Sequence, residues 1–175
     1  GIAGCTALSL TGFGLKDSIS DIIDLQYKNI YKYSGYIAYD ADITAEELDG
    51  IYADLYDYNP DTINTRALIK QYTFTAGGNT AQAYVTCVED AEVFGDLIDL
   101  HERVSGEKLS LSDGIIATEK LGRLLGTGKG DPVDIRINDS KTRCLEISGF
   151  TEHYVGNYVY MTAEQYENIF GTVPE

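Results

Sequence analysis

The sequence is poor in several residue types, and each shortage narrows the kinds of protein it encodes. Tryptophan is absent from the 175 residues, methionine occurs once, and 13 basic residues stand against 28 acidic ones. The resulting net charge of −15 argues against nucleic acid and anionic lipid surfaces as partners, because both attract basic proteins. The length suits one domain with a real core, or two small lobes that share one.

Cysteine and histidine are few and scattered. The three cysteines, Cys5, Cys87 and Cys144, show no CxxC spacing, so they predict neither a zinc site nor a disulfide framework. Cys87 and Cys144 lie in strand-like runs, so we expect both to be small core residues. A disulfide bond between them is the alternative. The two histidines, His101 and His153, belong to no ligand motif. His101 is expected to be a satisfied, half-buried residue.

Motifs of catalysis are missing as well. Residues 126–130 read GTGKG, but a phosphate-binding loop is GxxxxGK[ST] between a strand and a helix, and here a strand-like run follows. Residues 40–44 resemble the opening of a calcium loop, yet its required glycine is Ala45 and its twelfth position is Ile51. There is no GxSxG elbow. We therefore predict that the chain is not an enzyme and holds no catalytic residue, cofactor or metal.

The N-terminal stretch has no charge between residue 2 and Lys16. It is shorter than the roughly 20 residues that cross a bilayer, so we interpret residues 1–15 as the outer end of a truncated first transmembrane helix. Small residues recur every four positions and would form a helix-packing stripe; they are Ala3, Ala7 and Thr11. A buried core helix is the alternative. A lipoprotein signal ending at Cys5 fits less well, because the apolar residues follow the cysteine.

Residues 16–30 continue with a helical pattern. Isoleucines fall on one side and aspartates on the other, so one face is expected to pack against the rest of the chain. We interpret this segment as a coupling lever leaving the membrane, with flex points at two preceding glycines. Its predicted residues are Gly12, Gly14, Ile19, Ile22 and Ile23.

Tyrosine is abundant: there are 14, and eight of them fall between residues 27 and 58. Tyrosine suits surfaces that are half buried and half wet. The cluster therefore marks either an interface between lobes or a surface facing a partner. The residues predicted to face a partner are Tyr33, Tyr36 and Tyr39.

Further along, local signals predict alternating strands and helices. Thr44 and Glu47 form a capping box before a helix, and AGGNT at 76–80 joins two strand-like runs as a hairpin. A short helix is expected to carry Phe94, Leu97, Ile98 and His101, and a second capping box opens a last helix at Thr162. We predict an α+β fold for residues 16–175, with a largely antiparallel sheet, flanking helices and an N-terminal helix continuing from the membrane.

Two segments carry a family resemblance. IAGCTAL followed by TGFGLKDSI, within residues 2–19, is similar to the first transmembrane helix and exit of FtsX-like, MacB-type ABC transporter permeases of Gram-positive bacteria. GIIATEKL at 114–121, LLG at 124–126 and GDPV at 130–133 resemble the strand, helix and Gly-Asp turn of that family's extracytoplasmic domain. YVYMT at 158–162 and the helix after it also fit.

The resemblance implies a domain inserted between two transmembrane helices, outside the cell membrane. ATP would be bound and hydrolysed by a separate ABC ATPase subunit, and a second permease unit would complete the transporter. The domain would serve export or release of a peptide, lipid or lipoprotein, or contact a partner protein. The alternative is a cell-surface binding module that uses the tyrosine-rich face and has no transport role.

Overall fold

The computed structural model describes residues 6–11, 35–40, 43–61, 63–153 and 155–174. The strands, in chain order, are β1 Thr6–Thr11, β2 Gly35–Asp40, β3 Asn64–Ala76, β4 Asn79–Val88, β5 Ile115–Thr118, β6 Pro132–Asn138, β7 Lys141–Thr151 and β8 Tyr158–Thr162. The helices are α1 Ala45–Tyr58, α2 Ala91–Leu97, α3 Glu119–Leu125 and α4 Ala163–Phe170, with a 3₁₀ turn at Leu111–Asp113.

Six strands close into a barrel in the order β3-β4-β8-β5-β7-β6, with β6 returning to β3. The closing pairs lie in the second half of β3, where Phe74 faces Ile135. Pairing is parallel between β4 and β8 and between β5 and β7, and antiparallel at the other contacts. Closure leaves none of these six strands as a full-length open edge.

The predicted largely antiparallel sheet with flanking helices is therefore wrong, because the strands form a closed barrel of mixed pairing. The closing contact joins strands about 60 residues apart and spans three residue pairs, so no local pattern signals it. The two parallel contacts likewise join strands that are not consecutive in the chain.

The expected helix at the N-terminus is also wrong where the structure describes it. Residues Thr6–Thr11 form β1, which lies between β2 and the first half of β3. Ala7 pairs with Leu68 and Thr11 with Asn64. A spacing of four residues marks one face of a strand as well as one face of a helix, because four is a multiple of the strand period. No helix in the described residues is long and apolar enough to cross a membrane.

Several local predictions are confirmed. The Thr44 hydroxyl accepts a bond from the Glu47 backbone and the Glu47 carboxylate accepts one in return, which caps α1. The hairpin of β3 and β4 turns at Gly77 and Gly78, which both have positive φ. Thr162 caps α4 in the same manner as Thr44 caps α1.

The core fills the barrel and extends to one outer flank. Side chains from all six strands meet inside, and α3 and α4 add residues to the same cluster; examples are Phe74, Val85, Ile135, Ile147, Val159, Leu121 and Phe170. On β5 the neighbours alternate: Ile115 and Ala117 point into this cluster, whereas Ile116 joins a second one. Strand β5 is buried on both faces, so the chain must cover the outside of the barrel there.

Candidate functional site

The outer flank over β4, β8 and β5 is covered by residues 91–112. Phe94 and Leu97 of α2 pack with Ile116 and Tyr160, and the Phe94 and Tyr160 rings lie 5.6 Å apart. Asp90 caps α2 through bonds from the backbone of Glu92 and Val93. The flank is therefore built by a short helix and the extended chain that follows it.

We call residues 98–109 the strap. Its two arms run antiparallel, with Leu109 donating its backbone N–H to Leu100 at 2.7 Å and a bridge between His101 and Lys108. Between the arms, Gly106 with φ of 71° turns the chain. Val104, near the tip, is 89% exposed. The strap is thus a small hairpin-like excursion laid along the barrel.

His101 fastens the strap to the end of β7. Its backbone N–H donates to the Thr151 hydroxyl at 3.1 Å, and its carbonyl accepts the N–H of Glu152 at 2.9 Å. The ring Nε2 lies 2.5 Å from Glu152 Oε2, and Nδ1 lies 3.6 Å from Asp99 Oδ1. The side chains of His101 and Glu152 are only 14% and 15% exposed, so water screens this pair weakly.

The charge state of His101 follows from these contacts. Burial of the ring lowers the pKa of His101, but the contacts with Glu152 and Asp99 together raise it more, so the pKa lies above the ordinary 6.5. The imidazolium form is favoured while the strap is in place. The arrangement serves to hold a charge between two carboxylates.

Two further contacts hold the strap. Arg103 Nε lies 3.0 Å from Glu119 at the start of α3, and Arg123 of that helix approaches the same carboxylate at 3.6 Å. Leu109 lies over Gly149 of β7, where an added Cβ would come within 3.2 Å of the leucine. The strap therefore contacts both β7 and α3.

The second histidine lies in an aromatic cluster on the same flank. His153 Nε2 is 3.3 Å from the Tyr160 hydroxyl, and its ring is 5.0 Å from that of Tyr158. The Tyr158 ring in turn lies 5.7 Å from that of Tyr84, which is 42% exposed. Burial lowers the pKa of His153 to about 4, so this ring is neutral near pH 7.

A cavity of about 580 Å³ opens between α2 and the second arm of the strap. Its buried apolar wall includes Phe94, Ile98 and Leu111. Polar side chains stand at the mouth: Glu92 and Asp96 on α2, and Lys108 on the strap. The position of the strap therefore determines the shape of the cavity.

Within the described part of the chain, no group of three His, Cys, Asp or Glu side chains could hold a metal ion. Burial raises the pKa of the Cys87 thiol to about 12, which keeps it protonated. The histidine contacts on this flank can bind protons and respond to a change in pH. That the chain is not an enzyme and needs no cofactor of its own stays a prediction.

The predicted site residues that the structure describes lie in strands away from the strap. Ala7 and Thr11 lie on β1, and Tyr36 and Tyr39 lie on β2, next to β1 in the sheet. The remaining predicted residues lie outside the described ranges: Ala3, Gly12, Gly14, Ile19, Ile22, Ile23 and Tyr33. Their assigned roles in membrane packing, coupling and partner contact stay predictions.

The sequence pattern indicates the half-buried position of His101 but not the residue that it contacts. The expectation of a satisfied, half-buried residue is confirmed, although α2 ends at Leu97 and His101 lies in an extended arm. Glu152 is 51 residues away, and no spacing rule joins the two. Cys144 is exposed on β7 and Cys87 is buried on β4, both free, so the expectation of two core cysteines is wrong for Cys144. The alternation of side chains along β7 indicates the exposure of Cys144, because Cys144 lies on the same face of the strand as Glu146.

Comparison with models of protein families found none that matches the sequence, and comparison with curated proteins found no significant match.

Proposed function

We propose that the chain is the extracytoplasmic domain of an FtsX-like, MacB-type ABC transporter permease subunit. In this role it couples the nucleotide cycle of a partner ATPase to the export or release of a peptide, lipid or lipoprotein, or to a partner protein. A second permease unit completes the transporter. The domain lies on the outer side of the cell membrane, and its membrane attachment is to be sought outside residues 6–11.

The observation that carries the proposal is the local structure of the segment resembling this family. GIIAT forms β5 after Gly114, EKLGRLL forms α3, and Gly126 ends the helix in the left-handed conformation. The Asp131 carboxylate then accepts the backbone N–H of Gly128 at 2.8 Å, and β6 begins at Pro132. The strand, helix and Gly-Asp turn expected from the resemblance are all present, and β8 with α4 follows as expected.

The location can be tested with the chain's own thiols in cells that make the full-length permease. Cys144 is exposed and Cys87 is buried and protonated, so a membrane-impermeant maleimide should react at Cys144. A Cys5→Ser background leaves only the exposed Cys144 and the buried Cys87 in this chain, and Cys144→Ser in that background is the matched control. We expect labelling of intact cells that the control lacks. Labelling that requires cell lysis would place the domain inside and refute the proposal.

The coupling role needs a second test. The full-length permease should co-purify with an ABC ATPase, and its reading frame should encode several apolar spans after residue 175. If the full-length protein lies outside the membrane but shows neither property, the transporter hypothesis fails and the binding-module hypothesis remains.

One observation favours that second candidate. Helix α1 carries five acidic residues and no basic one, buries only Leu55, and exposes Tyr56 by 47% and Tyr58 by 82%. Aromatic rings among carboxylates suit a cationic protein partner. The test is whether the full-length protein captures such a partner in the absence of any ATPase. Capture that is lost on Tyr58→Ser would support a binding module with no transport role.

A further inference from the structure

We propose that the strap is a pH-sensitive latch, closed on the barrel while His101 is protonated and released when that proton is lost. The latch depends on the contacts of His101 and does not require that the chain belongs to a permease. Its consequence is a cavity whose wall loosens as the pH rises.

The geometry gives His101 a central place in the latch. Its backbone N–H and carbonyl bond to Thr151 and Glu152, so the residue lies in register with the end of β7. Its ring adds the Nε2 contact with Glu152 and an Nδ1 contact of 3.2 Å with the Asp99 carbonyl. A neutral ring carries one N–H and cannot donate to both oxygens, whereas the imidazolium donates to both. Loss of the proton therefore removes a donor as well as a charge.

The charged groups facing His101 come from each element packed against it. Asp99 belongs to the same arm of the strap, Glu152 follows β7, and Lys108 is the bridge partner on the opposite arm. Arg103 is turned to Glu119 of α3 instead. The two carboxylates both favour the imidazolium, and the contacts with Glu152 and Asp99 raise the pKa of His101 against its burial.

The direction of the effect follows from linkage. In a released strap, His101 would titrate near its ordinary value of 6.5, whereas in the closed strap its pKa is raised. The latch is therefore fully stabilised below pH 6.5, and the stabilisation is lost as the pH rises through the raised value.

Lys108 and Leu109 connect the latch to the cavity. Both residues line the cavity, and Leu109 also bonds to Leu100 on the arm that His101 fixes. Release of that arm would move Leu109 off Gly149 and widen the gap to α2. The contact between Arg103 and Glu119 does not involve His101, so we expect it to limit the opening to the arm that His101 holds.

The test combines two measurements on the wild-type chain of 175 residues. The chain has only two histidines, so NMR titration of the imidazoles gives both pKa values, with His153 expected far below His101. Hydrogen exchange of the Leu109 and Glu152 amides is then followed from pH 5.5 to pH 9, after correction for the intrinsic exchange rate. Linkage requires their opening constant to rise by the ratio between the acid dissociation constants of His101 in the released and the closed strap.

Variants separate the latch from general stability. Glu152→Gln should lower the pKa of His101 and shrink the pH step, and His101→Gln should abolish the step. Glu89→Gln is the matched control, since it removes the exposed pair of Arg66 and Glu89, whose atoms lie 2.8 Å apart, and should leave the step unchanged. If His101→Gln does not fold, the size of the pH step in Glu152→Gln decides whether the latch exists.

Three results would overturn the proposal. A pKa of His101 at or below 6.5 would show that the carboxylates do not hold its charge. An exchange step of undiminished size in Glu152→Gln would assign the step to other groups. A step of equal size in the amides of β6, distant from the strap in sequence, would mean that the whole domain loosens and that no latch exists.

Discussion

Replacing Gly114 by alanine should destabilise the protein more than replacement of other glycines with positive φ. Gly114 precedes β5 with φ of 147°, a conformation that L residues rarely adopt. A Cβ there would lie 1.8 Å from the Ser148 hydroxyl oxygen and 2.7 Å from its Cβ. Ser148 sits where the pairing of β5 and β7 shifts register, between the partners of Ile115 and Ile116. The clash therefore pushes two barrel strands apart.

The expected cost has two parts. Backbone strain of a non-glycine residue in a sparse region costs about 1–3 kcal/mol, and overpacking at a tight contact costs about another 1–3 kcal/mol. The hydroxyl can rotate away, but the Ser148 Cβ cannot, so we expect a loss of about 3 kcal/mol or more in the free energy of unfolding. Gly130→Ala is the matched control, because φ is 81° but nothing lies within 4 Å. The loss of unfolding free energy in Gly130→Ala should therefore contain only the backbone strain.

Urea denaturation, followed by far-UV circular dichroism, measures both variants. A double variant with Ser148→Gly should recover the steric part, and the double-mutant cycle isolates the interaction between the two positions. If Gly114→Ala costs no more than Gly130→Ala, or if Ser148→Gly recovers nothing, the close approach of β5 and β7 at this point does not exist.

Two other predictions concern pH and coupling. The pKa of His153 is lowered to about 4, so its contribution to stability is complete above pH 6.5 and is lost as the pH falls toward 4, on the order of 3 kcal/mol. Urea midpoints of the wild type and of His153→Phe at pH 7 and pH 4.5 measure this; a wild type that loses no more than the variant would contradict it. On the proposed permease function, with a lever helix predicted over residues 16–30, Ile22→Pro in the full-length protein should uncouple ATP hydrolysis from transport because proline breaks a helix, whereas Ile22→Ala should not. Unchanged coupling in the proline variant would rule out the lever.

The elements whose signals are local could be predicted from the sequence. The caps at Thr44 and Thr162 need only residues three positions away, and the hairpin needs only the two glycines at its turn. The stop of α3 at Gly126 is equally local. These features depend on backbone groups that neighbouring residues satisfy, so the sequence pattern contains their physical cause.

Elements that depend on distant partners could not be predicted. The spacing of Phe94, Leu97, Ile98 and His101 fits a helix, yet the second arm of the strap offers hydrogen bonds that end the helix at Leu97. The same ambiguity affects Ala7 and Thr11, whose spacing suits both a helix and the strand observed. The residue pattern is compatible with both a helix and an extended strand, and pairing with distant parts of the chain determines which of the two forms.

The sequence by itself determined the hairpin turn, the capping boxes at Thr44 and Thr162, and the excess of negative charge, because each follows from composition or from residues close together in the chain. Only the tertiary structure decided that the strands close into a mixed barrel, that β5 is buried on both faces, and that His101 meets Glu152. Those outcomes depend on contacts between residues that are distant in the chain, such as Phe74 with Ile135. Such contacts form where burial of apolar area exceeds the entropy lost in closing long loops, and no local pattern records that balance.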